Sequence, residues 1–407
     1  MPSYRAQIAR LYERSAFYRN KLQAAGFASP EAVGGLERIA ELPFTEKDEL
    51  RASQAAHPPL GAQAAIDIAQ AARIYSTSGT SGAPLYIPLT RHDVEQWREI
   101  GRKTYSCNGL KAGERVVTTY GAGPFVAGAS LAAFEAIGAV HIPVGVGNTE
   151  KLLAAVERLQ PEALACTPSY ALYLSERFPG KHSVRRIIVG GEPGGGEQSF
   201  RDKLQSAFGA RVYEIMGIGD IAASLWGECP AQAGMHFSAE GLIHVELIDP
   251  DSGKGAAMKD GATGELVYTH LAREAAPLLR FRSRDHVRIW ASGCSCGRSS
   301  LRVRCIGRTD DMLIVRGVNV FPSAVREVVA RFQPRVTGAI LIKPRARGVR
   351  QEPPLPIVVE GDSALGETIA GEIRQALTFT PEIRMVAPRT LPRSDYKSKL
   401  VDFSEAP

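Results

Sequence analysis

From residue 116 to residue 208, short apolar runs of strand character alternate with segments of helical spacing: 116–119, 140–143, 152–159, 163–166, 170–177, 186–189 and 197–208. Such alternation leaves a chain few architectures. Parallel strands need a crossover of a dozen or more residues, usually helical, and those helices cover the sheet. The expected fold class is therefore α/β with a largely parallel sheet. The 407 residues also exceed the roughly 250–300 at which single cores stop growing, so more than one domain is expected.

The flanks read differently. Residues 4–25 carry Ile8, Leu11, Tyr12, Phe17 and Leu22 at helical spacing and predict an amphipathic packing helix broken near Ser15. Between 241 and 289 short strands with turn signals, such as Asp249-Pro250-Asp251-Ser252-Gly253, predict an antiparallel subdomain with no obvious helix. A second boundary falls near 307–311, after which runs at 312–315, 324–332 and 339–342 open a small unit that ends near Ser404. The expected division is a large N-terminal domain over 1–307, with a β subdomain at about 229–306, and a small α+β C-terminal domain over 308–407.

Between two apolar runs stands Ser76-Thr77-Ser78-Gly79-Thr80-Ser81-Gly82, followed by Ala83-Pro84. Glycines let backbone N–H groups approach an anion, and hydroxyls add donors that rotate to suit it, so the loop suits a polyphosphate. It is not a Walker loop, which would place a lysine after the last glycine and run into a helix. Residues 85–89 instead carry strand formers, which predicts strand–loop–strand. A solvated Ser/Gly-rich turn is the alternative reading of the loop taken alone.

A net charge of +6, spread without a basic block, suits nucleotide or coenzyme phosphates rather than a nucleic-acid surface. The longest uncharged stretch, 116–134, is interrupted by glycines, a proline and hydroxyl residues, which argues against a membrane span. Arg5, Arg10 and Glu13 stand where a leader would need an apolar core, so a cytoplasmic location is expected. In a reducing compartment a close cysteine pair points to metal before disulfide. Cys229 and His236, with Cys294 and Cys296 further on, make a tetrahedral zinc set by count and type, with Cys305 as a substitute ligand.

Phe17-Tyr18-Arg19, Leu42-Pro43-Phe44-Thr45, the sixteen residues from Gly307-Arg308-Thr309-Asp310-Asp311 through Val320-Phe321-Pro322, and Leu391-Pro392-Arg393-Ser394 occur in one order. In that order the chain resembles the adenylate-forming ligases, and within them the phenylacetate-coenzyme A ligase group. The resemblance implies a two-step reaction: a carboxylate attacks the α-phosphate of ATP, giving an acyl-adenylate and pyrophosphate, and a thiol then takes the acyl group.

It also implies roles. The loop from Ser76 to Gly82 would hold the β- and γ-phosphates, with Gly191, Glu192 and Pro193 at the nucleotide, Asp285 on the ribose hydroxyls and Arg308 at ribose or phosphate. Asp220 would serve Mg2+, although Met216-Gly217-Ile218-Gly219-Asp220 replaces the group's Tyr-Gly-x-Thr/Ser-Glu and its carboxylate is one methylene shorter. Lys397 would bridge the substrate carboxylate and the α-phosphate, with Tyr396 in place of the usual glycine and Lys399 as a rival. Asp310 is the matching hinge position, so the C-terminal domain is expected to rotate between half-reactions.

Tyr120, Phe125, Gly190, Ile215 and Met216 would line the acyl pocket, where flat apolar walls and glycine gaps suit an aromatic ring. The zinc would brace the β subdomain. The expected cofactors are ATP, Mg2+, coenzyme A and structural Zn2+. The expected partners are an aromatic carboxylate and coenzyme A or a carrier protein, with a homodimer left open and neither nucleic acid nor membrane. The leading reading is an aryl- or arylacetyl-coenzyme A ligase. The alternatives are an aryl-AMP ligase loading a carrier protein and a degenerate relative that binds without turnover.

Overall fold

Four of the apolar runs, joined by Arg211–Ile218 that follows them in the chain, become neighbouring parallel strands, in the spatial order Arg211–Ile218, Arg186–Gly190, Ala163–Cys166, Arg115–Thr118, Val140–Pro143. The computed structural model describes residues 4–77, 84–121, 126–178, 180–192, 194–392, 400–404 and 406. Successive side chains of a strand face opposite sides of a sheet. Val117, Leu164, Ile187, Val189 and Val212 accordingly share a core with Val156, Tyr170 and Leu204, from helices Thr149–Leu159, Pro168–Ser175 and Gln198–Phe208. Val116, Ala163, Ala165, Ile188 and Ile215 share another with Tyr105 and Phe134, from helices Arg91–Cys107 and Leu131–Ile137. Helices on both faces explain why these strands read as continuous apolar runs.

The antiparallel region is not a sheet of its own. Arg211–Ile218 turns back through a tight connection, with Ile221 N donating to Ile218 O at 2.8 Å, and pairs with Ala222–Glu228. From there Met235–Phe237, Arg302–Arg308, Phe281–Trp290, Thr263–His270, Ile243–Ile248 and Gly255–Ala256 extend the parallel half into one twelve-stranded mixed sheet. The subdomain expected from residue 229 thus takes in the earlier strand Ala222–Glu228, because its backbone groups find their partners on both sides.

Helices Tyr4–Arg14 and Ala16–Ala24 pack on this antiparallel region and are separated at Ser15, whose hydroxyl caps the second by accepting from Tyr18 N. Arg73–Ser76 and Tyr86–Leu89 form an antiparallel pair, the strand–loop–strand arrangement that carries the hydroxyl loop. Beyond residue 312 a separate core gathers Val325, Val329, Ile340, Val359, Ile369 and Ile373 around helices Pro322–Ala330 and Gly366–Leu377 and a three-stranded sheet.

One buried ion pair fixes the helix that follows the glycine-rich segment 190–196. Arg201 donates through Nη2 to both oxygens of Glu228, at 2.8 and 2.9 Å, and Glu228 also accepts from Glu214 N at 2.9 Å. The two side chains are 2 % and 1 % exposed. Removing one partner of such a pair strands the other charge in the interior. Glu228→Ala should therefore lower the unfolding free energy by about 3–5 kcal/mol, read from denaturant midpoints.

Candidate active site

In an open α/β sheet, ligands bind beyond the carboxyl ends of the strands, where the strand order reverses. Here that point is Arg115–Thr118, whose two sheet neighbours, Val140–Pro143 and Ala163–Cys166, both follow it in the chain. Tyr120 stands just past its end, buried, and its hydroxyl spans the crevice to donate to Cys166 O at 3.2 Å. Gly190 and Ile215 lie on the neighbouring strands as register partners. A Cβ on Gly190 would come within 2.6 Å of Ile215 Cγ1, so glycine is what lets the two strands' side chains coexist. Met216 pairs with Trp226 just before an irregularity in the ladder. The sequence's pocket residues Tyr120, Gly190, Ile215 and Met216 are thus gathered at one end of the sheet, while Phe125 lies outside the described residues.

That ladder irregularity has a cause. A Cβ on Gly217 would sit 1.9 Å from Ala223 O, so the hairpin closes only on glycine, and the turn delivers Asp220 three residues later. Asp220 is 5 % exposed. Its Oδ2 accepts from Lys47 Nζ at 2.8 Å, and its Oδ1 is buried with no hydrogen-bond partner among the described residues. Gly219 lies against Thr77, whose Cγ2 would be 3.5 Å from a Cβ there, so the hydroxyl loop begins beside this carboxylate. Ser76 and Thr77 are buried, and Thr77 pairs with Leu85 through backbone and side chain. Ser78, Gly79, Thr80, Ser81 and Gly82 lie outside the described residues, as do Pro193, Lys397 and Lys399.

The sequence reading missed Lys47. Its signal was at hand, two residues past Leu42-Pro43-Phe44-Thr45, but a single lysine opening a helix carries no pattern of its own.

Asp285 and Arg308 face each other across adjacent strands, with Arg308 Nη1 donating to Asp285 Oδ1 at 3.3 Å. Arg308 also forks onto Asp310, at 2.9 and 2.7 Å, which ties the expected ribose and hinge residues into one cluster. Arg284, held at φ +65° with its guanidinium on Glu46 at 2.6 Å, kinks the strand immediately before Asp285. Burial pushes the Asp285 carboxyl up to about 6, against the pull of Arg308.

Gly191 adopts φ +97°, a conformation that glycine alone takes freely, and Glu192 accepts from Ser169 N. Beneath the following glycines lies Glu214, whose Oε2 would be 2.6 Å from a Cβ on Gly196.

Cys229, His236, Cys294 and Cys296 converge so that their ligand atoms all lie within 4.8 Å of one another. Cys229 Sγ is 3.7 Å from Cys294 Sγ, and Cys296 Sγ is 3.5 Å from His236 Nε2. Tetrahedral bonds of about 2.3 Å put neighbouring sulfurs about 3.8 Å apart, close to the Cys229–Cys294 separation, so this donor set could hold a zinc ion. His236 Nδ1 lies 2.9 Å from Ser300 Oγ, the outer contact that leaves Nε2 for a metal. Burial pushes the imidazole down to about 4, which keeps it neutral. Cys305 is not part of this set; its thiol turns to Gly307 O at 3.6 Å.

No family model matches the chain. Among characterised proteins, the phenylacetate-coenzyme A ligase of Thermus thermophilus is 33 % identical over 418 residues, covering 95 % of this chain and 92 % of the relative. The chain belongs to the phenylacetate-coenzyme A ligase family. This family member is thus an AMP-forming acid–thiol ligase. Its fold matches that of a 2-hydroxyisobutyryl-CoA ligase in the postadenylation state, in complex with R3-HIB-AMP, with a TM-score of 0.89 at 24 % identity over 98 % of this chain and 88 % of that one. With the same ligase in its thioesterification state, bound to 2-HIB-AMP and CoA, the TM-score is 0.71 at 25 % identity over the same shares.

Glu214 offers a test of the buried charge beneath the glycine segment. Burial first, and Glu228 second, push its carboxyl from 4.5 up to about 7. A carboxyl raised in the fold takes up a proton on folding, so its contribution to stability is present below 4.5 and lost as pH rises through about 7. Glu214→Gln should flatten that decline and gain roughly 1–3 kcal/mol at neutral pH, read from denaturant midpoints across a pH series.

Proposed function

We propose that this ligase activates an aryl or arylacetic acid and transfers it to coenzyme A. The observation that carries the aromatic assignment is the apolar end of the sheet, where Tyr120, Gly190, Ile215 and Met216 lie near the turn that carries Asp220. An aromatic ring fits flat apolar walls with glycine gaps.

In the first step a substrate carboxylate oxygen attacks the α-phosphorus of ATP, the bond to the β-phosphate oxygen breaks, and pyrophosphate leaves. Such chemistry depends on positioning and charge neutralisation more than on covalent help. The loop of Ser76 to Gly82 supplies hydroxyl and backbone donors to the phosphates. Asp285 accepts from the ribose hydroxyls, Arg308 orients it, and Gly191, Glu192 and Pro193 border the base. Lys397 neutralises the charge developing between carboxylate and α-phosphate. In the second step the coenzyme A thiol attacks the acyl carbonyl, and AMP leaves with the electrons of the mixed-anhydride bond.

The orphaned Asp220 Oδ1 suits a hard cation, so Asp220 would hold Mg2+, which when bound offsets phosphate charge. Lys47, already on the other oxygen, adds a positive charge at the same place. The Cys229–His236–Cys294–Cys296 set fits Zn2+ by donor type and spacing, and it joins the strand end at residue 229 to the loop at 291–301 as a brace.

The C-terminal unit from residue 308 moves about Asp310 between the two steps. Its separate core supports this, as does the better superposition on a postadenylation state than on a thioesterification state. No described helix is long and apolar enough to cross a membrane.

Pyrophosphate exchange over a panel of aromatic and aliphatic acids should be strongest with an aryl or arylacetic acid, and thioester should form with free coenzyme A. Exchange without that thioester, restored by a carrier protein, would point to the carrier-loading alternative. Lys397→Ala should lose exchange by about a hundredfold or more while keeping thioester formation from supplied acyl-adenylate. Purified protein should hold close to one equivalent of zinc, and stripping it should lower the melting temperature; a metal-free, equally stable protein overturns the brace.

A further inference from the structure

Helix Pro322–Ala330 of the C-terminal unit rests on strand Arg302–Arg308 and helix Gln198–Phe208 of the large unit. Arg326 lies on its buried face, and its Nη2 donates to Glu197 Oε1 at 3.1 Å. Both side chains are about a tenth exposed, at 10 % and 11 %. Glu197 stands at the N-terminus of Gln198–Phe208, directly after Gly194, Gly195 and Gly196. Glu192 and Glu214 reinforce the positive charge of Arg326 at longer range, so the guanidinium faces three carboxylates borne by the other unit. The fit is close. A Cβ on Gly194 would lie 1.8 Å from Arg326 Nη2, and Gly194 adopts φ +118°.

Apart from Arg308 on Asp285 beside Asp310, further contacts between the units are of a different kind. Lys203 Nζ donates to Thr337 O at 2.9 Å, Phe321 stacks on His286 with ring centroids 5.1 Å apart, and Arg389 meets Glu176 at 3.8 Å on the exposed rim. Only charge burial makes a contact unforgiving. A buried ion pair returns little net stability, because both charges lose their water, yet a displaced arrangement leaves a carboxylate buried without its partner. Glu197 Oε2 is buried with no hydrogen-bond partner among the described residues, so the pair is incomplete even when closed. That composition suits register and release better than permanent cohesion.

We propose that Arg326 is a positioning residue for the adenylation half-reaction: by engaging Glu197 near Gly191 and Glu192 of the nucleotide site, it holds the C-terminal unit where Lys397 can reach the reacting groups. Its release belongs to the change that admits the thiol. This rests on the two-step reading above and goes beyond it by naming the contact that selects one arrangement.

Wild-type enzyme is assayed for pyrophosphate exchange and for thioester formation from supplied acyl-adenylate, beside Arg326→Ala, Arg326→Lys and Glu197→Gln. Arg326→Ala and Glu197→Gln should lower kcat for exchange by about tenfold or more with little change in KM for ATP, and leave thioester formation equal or faster. Arg326→Lys should recover part of the exchange. The charge-reversed double variant, Glu197→Arg with Arg326→Glu, should restore exchange relative to either reversal alone, which keeps the question answerable if Arg326→Ala does not fold. Absence of exchange in the wild type defeats the functional reading itself. Normal wild-type exchange with both half-reactions lowered equally, or neither lowered, in the variants overturns the role of Arg326 alone.

Discussion

Everything at this site depends on one strand, Arg211–Ile218, being paired in parallel on one edge and antiparallel on the other. The two ladders space their hydrogen bonds differently, and the strand must satisfy both. Its side chains divide accordingly: Val212 joins the core under one layer of helices, Ile215 the core on the opposite face, and Ile218 the core of the antiparallel half. Where the second ladder closes there is no room for a Cβ at Gly217. The chain therefore leaves the sheet where three cores meet, and Asp220 is carried into a nearly buried position that an ordinary loop carboxylate would avoid.

The charges around that point are arranged in held pairs. Lys47 is on Asp220, Arg284 on Glu46, and Arg308 on Asp310 and Asp285. Of these, Arg284 with Glu46 and Arg308 with Asp310 are partly exposed on both sides, and such pairs are worth only about 0–1 kcal/mol each, so a multiply charged anion can draw these cations toward itself at small cost. Burying the same cations without partners would have been far more expensive. The arrangement keeps positive charge near an expected triphosphate while the folded chain stays electrostatically satisfied.

The parallel half was legible because its signals are local. Residues 163–166 and 140–143 match their strands, and 186–189 falls one residue short of Arg186–Gly190, since apolar runs bounded by turn residues carry their own limits. The antiparallel half was legible as texture but not as topology: Met235–Phe237 takes its place by pairing with Arg302–Arg308, far along the chain. Cysteine and histidine types suggested a metal set with Cys305 in reserve, yet sequence carries no distances, and the structure gathers Cys294 with the others while the Cys305 thiol turns to Gly307 O. Arg326 and Glu197, 129 positions apart, belong to no motif, and only packing brings them together.

Asp285 and Arg308 are register partners, and Asp310 follows two residues on. A rotation about Asp310 would therefore have almost no lever arm at Asp285 and a long one at the far helices of the C-terminal unit. If Asp285 holds the ribose and Asp310 is the hinge as proposed, the sugar end of a nucleotide would stay seated while everything distal sweeps past it, so affinity for the adenosine moiety would be nearly blind to which half of the cycle the enzyme is in.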